Sequence, residues 1–166
     1  MKAERHIEAA KGYLALGMPD EAMEEIKSLD FTYRYKPEVL ELTVAVHMSQ
    51  KRWMNGLVLA RALCDRFPMS GKPFLLTAMC LDSLERTAEA RDILLAAPVS
   101  LRNKAELHYN LSRLEAKLGN VSSAQRYLKR AVELNPDMKS KAGTDPHLTD
   151  LVLRLKSHED GCAAKA

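Results

Sequence analysis

The side chains that most often do chemistry are sparse and scattered in this chain. Its five histidines (His6, His47, His108, His147, His158) and three cysteines (Cys64, Cys80, Cys162) form no C-x-x-C, no H-E-x-x-H and no tight His/Asp group. A metal centre needs several such ligands converging, and a nucleophile needs a base within hydrogen-bond reach. Neither can be assembled from these spacings. Ser70-Gly71-Lys72 lacks the earlier glycine and the preceding buried strand of a phosphate loop. Asp20-Glu21 and Glu24-Glu25 read as carboxylates that favour a helix N-terminus or face solvent, not as an acid/base pair. The expectation is no enzyme, no metal and no cofactor. Widely spaced cysteines suit a reducing compartment, and Glu4, Arg5 and Glu8 stand where a signal peptide would need an apolar core. A cytoplasmic location is therefore expected. No stretch approaches the roughly 20 uninterrupted apolar residues of a membrane span, so no membrane partner is expected.

The elements that carry these residues are helical. Leu107, Leu111, Leu114 and Leu118 recur at intervals of four, three and four, which defines one face of an α-helix. Val121, Ala124, Leu128, Ala131 and Val132 repeat the pattern in the next segment. Asn135-Pro136 ends it, because proline lacks the N–H and restricts the residue before it. Gly119-Asn120 between the two runs predicts a helix C-cap and a tight turn, hence a helical hairpin. Alternating β-branched runs are absent from the sequence.

The hairpin recurs every 34 residues. Stepping back from Ala124 gives Ala90, Gly56 and Ala22, all small; stepping back from Leu128 gives Leu94, Ala60 and Ile26, all apolar. Two steps from Pro136 give Pro68, and three from Gly119 give Gly17. Four units follow without insertion: 3–36, 37–70, 71–104 and 105–138. Residues 139–145 read as a linker, 146–159 as a capping helix with Leu148, Leu151, Val152 and Leu155 on one face, and 160–166 as a tail.

With these slots the chain resembles a tetratricopeptide repeat (TPR) protein, whose signature is a 34-residue helix–turn–helix with large, small and aromatic residues at fixed offsets. Leu111, Ala124, Leu128, Ala131 and Pro136 carry the likeness best. Tyr13, Gly17 and Ala22 carry it in the first unit, Leu40, Gly56 and Pro68 in the second, and Phe74, Ala78, Ala90, Leu94 and Ala97 in the third. His6 and His108 stand where the family prefers Trp, Glu115 replaces its Tyr, Arg34 and Arg102 replace its terminal Pro, and Leu29 and Leu63 fill a slot usually held by Ala. The resemblance implies an all-α fold: a right-handed α-solenoid of four TPR hairpins closed by a C-terminal capping helix.

It also implies a partner-binding face, since the first helix of each TPR hairpin lines the inner surface of the superhelix. By register that face carries Leu42, Ala45 and Met48 in the second unit, Leu75, Leu76 and Met79 in the third, and Tyr109, Asn110 and Arg113 in the fourth. Ile7, Leu42 and Leu76 stand where a related class of TPR proteins places polar or basic groups to clamp the terminal carboxylate of a chaperone tail. The expected partner is thus another protein offering an amphipathic helix or an extended apolar segment. A chaperone-like protein shielding one client, or a homodimer built on the same apolar face, is the alternative. Residues 101–141 carry a net charge of +5, yet without the interleaved aromatics and charge density of a nucleic-acid domain. That argues against nucleic acid.

Overall fold

The structure, a computed structural model, describes residues 2–153. The expected C-terminal half of the capping helix, Cys162, His158 and the tail lie outside the described residues. Eleven helices with both ends described follow one another, and no strand occurs among the described residues. They are α1 (Lys2–Ala15), α2 (Pro19–Lys27), α3 (Phe31–Arg34), α4 (Pro37–Ser49), α5 (Trp53–Arg66), α6 (Gly71–Ser83), α7 (Thr87–Leu95), α8 (Val99–Arg102), α9 (Ala105–Lys117), α10 (Val121–Leu134) and α11 (Asp137–Gly143).

The 34-residue period is written into the backbone at the hairpin turns. Positive φ occurs at Gly17, Lys51, Glu85 and Gly119, with φ of 73°, 57°, 60° and 79°. After each, a backbone N–H reaches five residues back: Met18 to Tyr13 O, Arg52 to His47 O, Arg86 to Leu81 O and Asn120 to Glu115 O, at 2.8–2.9 Å. This closes the orphan carbonyls of a helix end in the Schellman manner, and it requires a left-handed residue at the turn. Glycine supplies that conformation freely; Lys51 and Glu85 adopt it at a steric cost.

The second helix of each hairpin departs from strict repetition. It runs 14 residues in α5 and α10 but only nine in α2 and α7, each of which is followed by a one-turn helix. Ala97-Pro98 sets the break after α7, with Pro98 extended ahead of α8. After α2 the break falls at Ser28-Leu29-Asp30, where Ser28 Oγ donates to its own helix at Glu24 O and Asp30 is extended. Arg34, at one expected proline slot, donates through Nε to Leu29 O at 2.6 Å and so closes α3.

Residues 139–143, read from the sequence as linker, are helical: α11 begins at Asp137, just past Pro136, and buries Met138 and Ala142. Apolar residues four apart gave the segment a buried side, and burial overrode its glycine. Helix resumes over 149–153, within the expected cap.

The chain forms two compact units divided between Arg86 and Thr87, inside the third 34-residue segment. In the first, α1, α2 and α4 enclose a core of Ile7, Ala10, Ala22, Ile26, Leu29, Val39, Leu42 and Val46. Helix α5 packs on α4 and α6. A Cβ at Gly56 would stand 3.1 Å from Cys80 Sγ and 3.7 Å from Met48 Cγ and Val44 O, so the small slot lets α5 approach both neighbours. In the second unit, α9 packs on α7 and α10, and Ser112 Oγ donates to Ala124 O at 2.8 Å across a fully buried contact.

Candidate functional site

The nine residues expected to line the partner face separate by burial. In the first unit, Leu42 and Leu76 are each 9% exposed; Leu42 belongs to the core of α1, α2 and α4. Their aliphatic mass holds the stack. Ala45, Met48 and Leu75 are half-buried, and Met79 is 38% exposed. Two contacts fix how α4 and α6 lie together. Lys72 Nζ meets Glu41 Oε2 at 2.8 Å, and Met48 and Cys80 both reach the Gly56 slot. The Glu41–Lys72 pair, with Met48 and Cys80 both next to Gly56, fits helices running side by side in the same direction. Leu75 and Met79, one turn apart on α6, therefore sit alongside Ala45 and Met48 on α4. Glu41 is well covered and Lys72 exposed, so the ion pair stands at the border of this apolar strip. Solvent leaves such a pair with little net energy; its consequence here is a polar edge beside an apolar patch.

The fourth-unit residues behave differently. Tyr109 is 4% exposed, within a cluster that includes Met138, Ala142, Leu148, Leu151 and Val152. Its hydroxyl donates to Asp145 Oδ2 at 2.8 Å, and Lys141 Nζ lies 4.4 Å from its ring centroid. Burial first, then the Asp145 carboxylate, pushes the Tyr109 phenol up to about 12. Asn110 donates through Nδ2 to Glu106 O of its own helix. Arg113 is half-buried. The chain's own C-terminal segment thus occupies the Tyr109 position, a contact between residues 36 apart that helical periodicity does not report.

Several of the described titratable residues are held in local contacts. His6 Nδ1 lies 2.6 Å from Glu25 Oε2, and His108 Nε2 lies 2.9 Å from Arg102 O with its ring stacked on Tyr127. Burial, and then Arg52, lower the His47 pKa. The Cys80 thiol is pushed up to about 11 by burial alone, and burial likewise raises Cys64, whose sulfur lies 3.4 Å from Thr77 Oγ1. High thiol pKa values describe inert core residues rather than nucleophiles. A hollow of about 530 Å³ between α2 and the α4–α5 turn is lined by Asp20, Glu24 and Glu25 among others, but these carboxylates already bind Gln50, Lys27 and His6. No group of three or more His, Cys, Asp or Glu able to hold a metal occurs among the described residues. No described helix is long and apolar enough to cross a membrane.

A second hollow, of about 410 Å³, lies elsewhere in the first unit, bounded by His47, Met54, Asn55, Val58, Leu59 and Ala62. It faces out from α5 and was not anticipated from the sequence. The signal was present, though: three apolar residues at four-residue spacing on a side that α2 and α10 make polar and whose central slot on α7 is Asp92.

The hairpin geometry agrees with comparison to known proteins. Residues 105–138 match the tetratricopeptide repeat family. A thermophilic TPR protein of Thermus thermophilus superposes with a TM-score of 0.78 at 19% identity, over 92% of this chain and 82% of that one. Pseudomonas aeruginosa pilF gives 0.75 at 16%, over 94% and 70%. Residues 105–138 carry a tetratricopeptide repeat, and the chain has the fold of TPR proteins. MamA from Desulfovibrio magneticus RS-1, from residue 41 to its end, also shares the fold, with a TM-score of 0.69 at 17% identity over 98% of this chain and 90% of that one. At these identities the likeness is one of fold. No curated protein matches the chain in sequence. TPR hairpins are in general a protein-interaction fold, and TPR proteins are in general scaffolds rather than catalysts.

Proposed function

We propose that this chain is an interaction adaptor that holds an apolar segment of its partner, an amphipathic helix or an extended strand, on the α4/α6 strip of its first unit. The observation that carries this reading is the pairing of half-buried Leu75 with exposed Met79 on α6, beside Ala45 and Met48 on α4. Leu42 and Leu76 are buried in the stack and Met48 also reaches the Gly56 slot, whereas Ala45, Leu75 and Met79 keep apolar surface toward solvent. Two methionines suit such a face, because an unbranched thioether adapts to different partners at little strain. The Glu41–Lys72 pair at the border gives the partner a polar edge to register against. Tyr109 and Asn110 are satisfied within the second unit, so the proposed surface is confined to residues 37–83.

The test uses a displayed library of amphipathic helical peptides selected on the wild-type chain. Selected peptides are then titrated by fluorescence anisotropy against wild type and against Leu75→Glu/Met79→Glu. The reading expects the double variant, still helical by circular dichroism, to weaken binding by about tenfold or more, the cost of burying carboxylates against apolar surface. Peptides that bind both proteins equally would contradict it.

A further inference from the structure

The apolar character of the α4/α6 strip depends heavily on one oxidisable side chain. At the 34-residue slot of Met79 the other units carry Lys11, Ala45 and Arg113, so no other unit places a large apolar group there. Met79 is 38% exposed, whereas Met48 beside it is half-buried with its Cγ against the Gly56 slot. Three further methionines are exposed among the described residues, and all stand outside the strip. Met18 lies in the α1–α2 turn, Met54 on the outer side of α5 and Met69 between α5 and α6. A thioether reacts with peroxide without first losing a proton, so accessibility governs which methionine is oxidised. The described thiols compete poorly. Burial raises the pKa of both, Cys80 to about 11, and leaves little of the thiolate that reacts.

We infer that Met79 is a reversible oxidation site whose sulfoxide closes the α4/α6 strip to an apolar partner, an inference that rests on the reading of this strip as the partner face. In the step, the O–O bond of hydrogen peroxide breaks and one oxygen forms a bond to the Met79 sulfur. The second oxygen leaves as water with both peroxide protons, and the sulfur gives up two electrons to the peroxide. A dithiol reductase reverses the change: two thiols become a disulfide, and the sulfoxide oxygen leaves as water. The oxidised side chain is polar, and at a half-open position water satisfies its oxygen, so the fold is kept. An apolar partner strips that water away and offers no donor in its place. Oxidation therefore acts on binding and not on folding.

The test uses the full chain in a Cys162→Ser background, which keeps the tail thiol out of the reaction. This parent protein is treated with hydrogen peroxide, mapped by mass spectrometry, and titrated by anisotropy with an amphipathic peptide selected on the untreated protein. The dose is limited to conversion of the exposed methionines. The parent loses affinity by about fivefold or more with its circular dichroism unchanged, and methionine sulfoxide reductase with dithiothreitol restores it. Met18→Leu/Met54→Leu/Met69→Leu loses as much as the parent. Met79→Leu, compared with its own untreated form, changes by less than about twofold. A parent whose Met79 is converted while its affinity holds overturns the inference. So does Met79→Leu falling as far as the parent, or a Met79 left as thioether while Met54 and Met69 are oxidised. A peptide that binds the untreated parent and Leu75→Glu/Met79→Glu equally fails before any peroxide is added, and overturns the reading of the strip together with this inference.

Discussion

The two units use the same hairpin and leave it in opposite states. In residues 87–153 the partner-face position of α9 is filled from within: Tyr109 packs under α11 and the 148–152 segment and donates to Asp145. Polar bonds reinforce that unit, with Ser112 tied to Ala124 O and the Asn120 side chain to Glu115 at 2.7 Å. In residues 2–86 the third-hairpin counterparts, Leu75 and Met79 on α6, keep exposed surface, and α5 carries an apolar row on its outer side. Slot identity alone does not make a binding surface. What else in the chain reaches the slot decides it.

The largest test of this contrast compares Tyr109→Ala with Leu75→Ala in urea denaturation. Removing a fully packed ring leaves a cavity and takes one donor from the Asp145 carboxylate, costing about 3–5 kcal/mol. The half-buried leucine loses only part of its contact, about 1 kcal/mol. Equal costs would mean that the two positions are equally packed and would dissolve the distinction.

A second test uses pH. The Tyr109 phenol sits at about 12 when folded, against 10.0 for a free tyrosine. A raised acid pKa means that the folded state holds its proton more tightly. The stabilisation is therefore complete below the unfolded value and is lost as pH climbs from about 10 to 12. Wild type should lose its advantage over Tyr109→Phe across that window, as followed by hydrogen exchange on α9 and α11. A constant difference would show that the hydroxyl titrates as if in water.

The smallest effect concerns the turns. Lys51 and Glu85 hold the left-handed conformation that Gly17 and Gly119 adopt freely. Glu85→Gly should raise stability by about 0.5–1 kcal/mol through relieved strain, whereas Gly119→Ala should lower it by a similar amount. Thermal melts of the two variants moving in the same direction would show that the turns are not equivalent.

Much of the fold was legible because it is periodic. The 34-residue step that aligns Ala22, Gly56, Ala90 and Ala124 in the sequence aligns four buried slots in the structure. The breaks that make α3 and α8 were not anticipated, because each depends on local competition, at Ser28 and at Pro98, that a repeat average hides. Helix α11 was missed because Lys-Ala-Gly reads as a loop until Met138 and Ala142 find a core. The proposed partner face was half legible. Register identified which residues could face a partner, but the burial of Leu42 in the first-hairpin core and of Tyr109 beneath the C-terminal segment are tertiary facts. The α5 row could have been read by comparing Val58 with Glu24 and Arg126 at the same slot.

The most direct measurement is hydrogen exchange of the wild-type chain with and without a selected amphipathic peptide. The account predicts slower exchange on α4 and α6, residues 37–49 and 71–83, with α9 unchanged because its slot is already filled. Protection appearing on α9, with α6 unaffected, would contradict it.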